Sequence, residues 1–406
     1  MRFDGEPHAW FTCTEAEMRS TCDMSIATSE RIESVIGALP LVDHHVHGAL
    51  RDDPTDRADF ERHIAETDRP GVGSWFDSQL GIAIRRHCAP LLDLEPLADA
   101  DTYIARRREL GAAEVTRRFL DATGTSHFLL ETGYRGDEIL GVAEMVERSG
   151  KPVSEVVRLE TTAEDYVRTG VSSTQFVVGF EAYLRERAAN AVGLKSIIAY
   201  RDGFDFNPEP PSTTEVLSAA DRWFSRMAAG APVRVDDPVL LRWLIWTGVE
   251  LSLPIQFHSG FGDPDLELHR ADPLLLTKFI KQVEPRGTQI VLLHTYPFHR
   301  NAGYLARSFT NVTFDVGLAI NYLGTRAEAV IAESMEIAPF DKILFSSDAW
   351  GPAELHYLGA TLWRRGTSRL LASWVNDGDW TEADAVRVAT QIASTNAERV
   401  YGLASN

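Results

Sequence analysis

The chain has 406 residues, with 40 Lys+Arg against 59 Asp+Glu, so its net charge is −19 with the 12 histidines neutral. At 44% hydrophobic and 24% charged it has enough apolar material for a large core, which excludes wholesale disorder. The acidic balance, with no Lys/Arg block, excludes a chain that wraps nucleic acid or lies on anionic lipid, since both need clustered cations.

Cys13, Cys22 and Cys88 form no CxxC pair, so neither a disulfide framework nor a thiolate zinc site is expected. The first residues lack a basic start followed by an apolar run, and no stretch of about 18 uncharged apolar residues occurs. A cytoplasmic location without membrane contact is therefore expected.

Residues 1–38 precede the first strand, and Thr28 to Ala38 reads as a helix, with Thr28 or Ser29 as cap before Ile32, Val35 and Ile36. A first strand, Leu41-Val42-Asp43-His44-His45-Val46-His47, follows. The stretch from about 50 to 120 is charged, with Trp75, Phe76, Leu80, Ile82 and Ile84 near its middle and Arg106-Arg107-Arg108 later. It reads as a helical insertion, either folded over a barrel mouth or packed away from it. Short apolar runs ending in polar residues then recur at Phe128–Glu131, Val156–Glu160, Gly193–Ser196, Pro254–His258, Ile290–His294, Val312–Asp315 and Ile343–Asp348. Such runs are how strands buried on both faces of a parallel sheet read, and there are eight in all.

Helix-like segments lie between them, such as Asp236 to Glu250 with Leu240, Leu241, Leu244, Ile245 and Val249 at helical spacing. A loop is read at Asn207–Ser212. Alternating strands and helices favour an α/β fold, and polar residues at the strand ends favour a (β/α)8 TIM barrel over a doubly wound sheet. The expected organisation is an N-terminal helical extension over 1–38 and a barrel over 39–406, carrying the insertion after strand 1.

His45 and His47 share one face of a strand, so both imidazoles can reach one point. An isolated HxH is weak evidence, but His258, His294 and Asp348 also end strands, and this mix of N and O donors suits Zn, Mn or Fe. Lys195 ends the fourth strand, where an unpaired charge would be costly to desolvate. It reads as a salt-bridged structural lysine, a binder of a substrate carboxylate, or a lysine carbamylated on its ε-nitrogen that bridges two metals.

Asp348 has an alternative reading as a carboxylate capping a helix after the eighth strand. Arg158 and Glu160 on strand 3, and Tyr200 and Arg201 after strand 4, are candidates for substrate binding, Arg201 foremost because a guanidinium can grip a carboxylate bidentately. Ser259, Tyr296 and Trp350 follow ligand positions and are candidate pocket residues.

The set His45-Val46-His47, Lys195, His258, His294 and Asp348 resembles the amidohydrolase superfamily of metal-dependent (β/α)8 barrels. Gly193-Leu194-Lys195-Ser196 with Ala199-Tyr200-Arg201, Phe257-His258-Ser259-Gly260-Phe261-Gly262-Asp263-Pro264-Asp265, and Leu292-Leu293-His294-Thr295-Tyr296-Pro297 resemble the amidohydrolase-2 group. Within it they are similar to the N-terminal domain of FluG and nodulin-type glutamine synthetase-like fusions, from about residue 30 onward, and no room remains here for the synthetase part.

The resemblance implies that His45 and His47 bind a deeper metal with Asp348. His258 and His294 would bind a second ion if Lys195 is carbamylated, or otherwise serve the substrate and a single ion. It also implies amide hydrolysis, γ-glutamyl amides included, or non-oxidative decarboxylation of aromatic acids. The leading expectation is a C–N hydrolase of a small carboxylate-bearing molecule, with Asp348 as general base and the metal or His294 polarising the carbonyl. The alternatives are a decarboxylase and a non-catalytic signalling domain on the same barrel. The partner is a small molecule, and the oligomeric state, homo-oligomer included, is left open.

Overall fold

The computed structural model describes residues 15–67 and 73–403. Residues 1–14 of the expected N-terminal extension, Cys13 among them, lie outside the described residues. The architecture is α/β, built on one parallel sheet of seven strands paired in chain order. They are β1 (Leu41–Val46), β2 (Thr125–Glu131), β3 (Val153–Arg158), β4 (Ala191–Ser196), β5 (Ile255–His258), β6 (Ile290–Leu293) and β7 (Val312–Phe314). Helices connect them, since parallel neighbours need a crossover connection. The register aligns Arg158 with Lys195, Lys195 with Gln256, and His258 with Leu293, so the strand ends that carry the candidate site residues lie side by side.

The expected eighth strand, Ile343–Asp348, is not a regular strand. Its main chain still joins both edges of the sheet: Leu344 N–H donates to Phe314 O (2.9 Å), His44 N–H to Phe345 O (3.3 Å) and His47 N–H to Ala349 O (2.8 Å). Side chains take over much of the pairing. Ser346 Oγ donates to His45 O (2.9 Å), and the Asp43 carboxylate accepts from Ser347 N–H (2.9 Å) and Ser347 Oγ–H (2.5 Å). Asp348 itself is left-handed at φ 47°, which no strand allows.

The N-terminal helix begins earlier than the sequence suggests, running Glu15–Ala38. Ser29 caps nothing; its Oγ donates to Ser25 O (3.0 Å) within the helix. Ile32 and Ile36 are fully buried, whereas Val35 is exposed. The expected helix at 236–250 spans Pro238–Val249, started by Asp237, whose carboxylate accepts from Val239 N–H.

The region after β1 is helical in pieces: Arg57–His63, Gln79–Ala83, Ala100–Leu110 and Ala112–Ala122. Its later part packs away from the mouth, where the buried Glu354 on the long helix Ala353–Asn376 accepts from Tyr103 OH (3.0 Å) and Arg107 Nε (2.8 Å). Its early part brings Glu66 to the lining of the cavity described below. Among the described residues no helix is long and apolar enough to cross a membrane.

Candidate metal centre

One ligand atom each from His45, His294 and Asp348 lie within 4.8 Å of one another, all on buried residues. His45 Nε2 is 3.2 Å from Asp348 Oδ1, His294 Nδ1 is 3.3 Å from Oδ2, and His47 Nε2 is 3.9 Å from Oδ1. His258 joins the group by ring proximity, its centroid 4.8 Å from that of His294. His294 and Asp348 both have left-handed backbones, at φ 60° and 47°, a strain borne where strand ends must aim side chains at a common point. Asp348 caps no helix; the next one starts at Ala353 after Pro352.

Surrounding groups fix the tautomers. Gln256 Nε2 donates to His44 O (2.9 Å), a carbonyl that can only accept, so Gln256 Oε1 must face His45 Nδ1 at 2.7 Å. That nitrogen therefore carries the proton, and His45 Nε2 presents its lone pair to the centre. His47 Nδ1 likewise donates to Glu131 O (3.2 Å), leaving Nε2 free. Tyr401 OH completes the brace, 2.8 Å from Gln256 Nε2 and 3.0 Å from His44 Nδ1. His44 Nε2 bonds Asp315 Oδ2 (3.0 Å), while Asp315 Oδ1 accepts from His294 N–H (3.1 Å).

Burial is the leading cause that pushes the pKa of His45, His258 and His294 well below the usual imidazole value, and that of His47 to about 4. These are neutral imidazoles, the form that binds a metal. His258 Nε2 and His294 Nδ1 are buried without a hydrogen-bond partner, an arrangement that costs free energy unless something else takes the lone pair. The donor set and these orphaned nitrogens fit a divalent transition metal.

Lys195 is buried, its Nζ 3.2 Å from His45 Nε2, and forms no ion pair among the described residues. The reading as a salt-bridged structural lysine therefore lacks its partner. Burial lowers its pKa to about 8, despite the opposing pull of Asp348. Burial also raises Asp348 well above the usual carboxylate range, with Lys195 opposing.

A cavity of about 310 Å³ opens over this centre, lined among others by His47, Lys195, His258, His294 and Asp348. Of the sequence candidates for substrate contact, Arg158, Tyr200, Arg201 and Trp350 line it too. Arg158 is engaged with Glu131 (Nε to Oε1 3.1 Å, Nη2 to Oε2 2.5 Å), and Arg201 Nη1 with Glu164 (2.9 Å) and Val235 O (2.6 Å). Arg201 Nε has no partner.

Three candidates lie outside the cavity lining. Glu160 is not on strand 3 but in the first turn of the helix Leu159–Arg168, where it accepts from Ser196 Oγ (2.7 Å) and Ile197 N–H (3.0 Å) and so holds the end of β4. Ser259 is buried and donates to Phe257 O (3.1 Å). Tyr296 stacks on His299, ring planes 6° apart.

Glu66, Tyr134, Arg135, Arg234, Asp263 and Asp265 line the cavity without having been singled out. Only Asp263 and Asp265 carried a signal, in the string after His258. Tyr134 and Arg135 follow the end of β2, where a loop over the mouth was to be expected.

Residues 163–403 match the amidohydrolase family. The fluG protein of Emericella nidulans is 27% identical over 417 residues, an alignment that takes in 93% of this chain and 47% of that protein, so the chain spans about half the length of that curated relative. A protein from Lactobacillus casei classed as a metal-dependent hydrolase superposes with a TM-score of 0.80 at 27% identity, over 91% of this chain and 97% of that one. A uronate isomerase from Bacillus halodurans gives 0.64 at 14% identity, over 94% and 97% of the two chains. A glucuronate isomerase from Caulobacter crescentus gives 0.60 at 16%, over 94% and 95%. These last two attest the fold alone.

Proposed function

Because the chain belongs to the amidohydrolase family, we infer that it is a metal-dependent hydrolase cleaving the C–N bond of a small carboxylate-bearing amide, a γ-glutamyl amide foremost. The observation that carries this reading is the convergence of His45, His294 and Asp348 beneath a cavity edged with arginines. His45, His47, His294 and Asp348 would hold one ion, and His258 and Lys195 a second where Lys195 is carbamylated. Zinc is the first choice, with Mn and Fe the alternatives. Such an ion supplies Lewis acidity and a nucleophile at neutral pH.

The protein's own groups do the rest. Asp348, through Oδ2 on the side of the cavity-lining His294, accepts the proton of the attacking water and returns it to the departing amine. His294 orients the carbonyl. Arg201 offers its unpartnered Nε to the substrate carboxylate, with Arg158 beside it. Tyr200 packs against His258, ring centroids 4.5 Å apart, and narrows the space around that imidazole.

Elemental analysis of purified protein is expected to return about one or two transition-metal ions per chain, and a metal-free active enzyme would refute the reading. D348N is expected to abolish turnover with an unchanged circular dichroism spectrum; unaltered kinetics would remove its proton-transfer role. Product analysis over γ-glutamyl amides and aromatic acids separates the classes: release of CO2 without amine makes the protein a decarboxylase, and no turnover of either leaves a binding domain.

A further inference from the structure

Glu66 lies where the insertion meets the cavity, and its backbone is left-handed at φ 47°. Its Oε1 accepts from both Tyr322 OH (3.0 Å) and the Trp350 indole N–H (3.2 Å). Among the described residues its Oε2 accepts from nothing and it forms no ion pair, the Arg135 guanidinium on the same cavity acting on it only as a neighbouring charge. The buried glutamates nearby are different: Glu131 is matched to Arg158 and Glu164 to Arg201. A carboxylate held in a cavity by two neutral donors, with one oxygen unbonded among the described residues and Arg135 the one cation acting on it, as a neighbouring charge, gains when a ligand brings a hydrogen-bonded counter-charge.

The cavity offers the opposite sign as well. Arg201 has a buried Nε without a partner, and Arg234 borders the same space with no ion pair among the described residues. A ligand that satisfies both sets carries a carboxylate and a cationic nitrogen together.

We propose that Glu66 recognises an ammonium group of the substrate through Oε2, so that the substrate is an amino-acid derivative with its carboxylate toward Arg201 and Arg234. This rests on the reading of the cavity as a hydrolase site, and it narrows the substrates to those with a free amine. Trp350 and Tyr322 are positioning residues: they hold Oε1, and thereby turn Oε2 to the cavity.

The test is calorimetric binding of L-glutamate and of glutarate, its analogue without the amine, to metal-loaded protein. Wild type is expected to favour L-glutamate by about ten- to a hundredfold, the worth of a hydrogen-bonded charge contact. E66Q keeps an acceptor for Trp350 and Tyr322 and should erase that preference while leaving glutarate affinity in place. W350F and Y322F, which keep the charge and loosen its hold, should retain the preference at reduced size, and they stand in if E66Q fails to fold. Equal binding of the two probes by wild type, binding of neither, or an undiminished preference in E66Q overturns the proposal. Turnover of a γ-glutamyl anilide is scored separately: its absence with the preference intact removes the C–N hydrolase reading and leaves Glu66 in its role.

Discussion

Replacing Gln256 with Leu tests whether the metal centre depends on a residue that never reaches the cavity. The substitution strands His45 Nδ1–H, whose 2.7 Å bond to Gln256 fixes the tautomer, and frees Tyr401 OH and His44 O from the same amide. One stranded buried donor costs about 1–3 kcal/mol. A histidine ligand that loses the group orienting it costs about 10- to 100-fold in metal affinity. Q256L is therefore expected to bind its metal about 10- to 100-fold more weakly in competition with a chromophoric chelator, and to unfold at lower denaturant by an amount in that 1–3 kcal/mol range. Q256E is the control, since a carboxylate oxygen still accepts from His45. It should keep more of the affinity than Q256L. Metal affinity of Q256L within about twofold of wild type, in a folded protein, would refute the tautomer reasoning.

R158M leaves Glu131 as a buried charge without its bidentate partner, and urea unfolding is expected to show a loss of about 3–5 kcal/mol. Adding E131Q to R158M should recover much of it; no recovery would mean the loss comes from packing. Gly260 has φ 74°, and a Cβ there would lie 2.3 Å from Tyr296 O, so G260A should lower the melting temperature and distort the approach to His258. An unchanged melt would refute that reading of the loop. Cys88 is buried, and burial, helped by Glu354, pushes its thiol pKa well above the usual value. Peptide mapping after alkylation at about pH 8.5 should find Cys88 unmodified in folded protein and modified once the chain is unfolded.

The candidate ring was legible because its members obey a simple rule: a short apolar run puts its last polar residue at the C-terminal rim of a parallel sheet. His45, His47, Lys195, His258 and His294 all stand at such ends. Asp348 obeys the rule in position and not in conformation, since Ser346, Ser347 and Asp43 replace ladder hydrogen bonds with side-chain ones, an exchange that an apolar pattern does not reveal. The rule misled for Glu160, where the apolar run passes without a break from β3 into a helix, so that the rim lies at Arg158. Glu66, Tyr134 and Arg135 were invisible for a different reason. They come from connections, where no periodicity marks which residue faces a cavity, and only the folded path of the insertion brings Glu66 against Trp350.

The Tyr401 brace makes the order of synthesis matter. His45 and His47 leave the ribosome early, yet the group that fixes the proton of His45 is itself held by a residue made more than three hundred positions later. The nascent chain can carry every imidazole of the centre while Gln256 Nε2 has His44 O as its acceptor and still lacks the Tyr401 hydroxyl. A shortened protein ending before Tyr401 would keep each candidate ligand and lose one of the two bonds that hold Gln256, so the quality of such a preparation is judged by its metal content and not by its solubility.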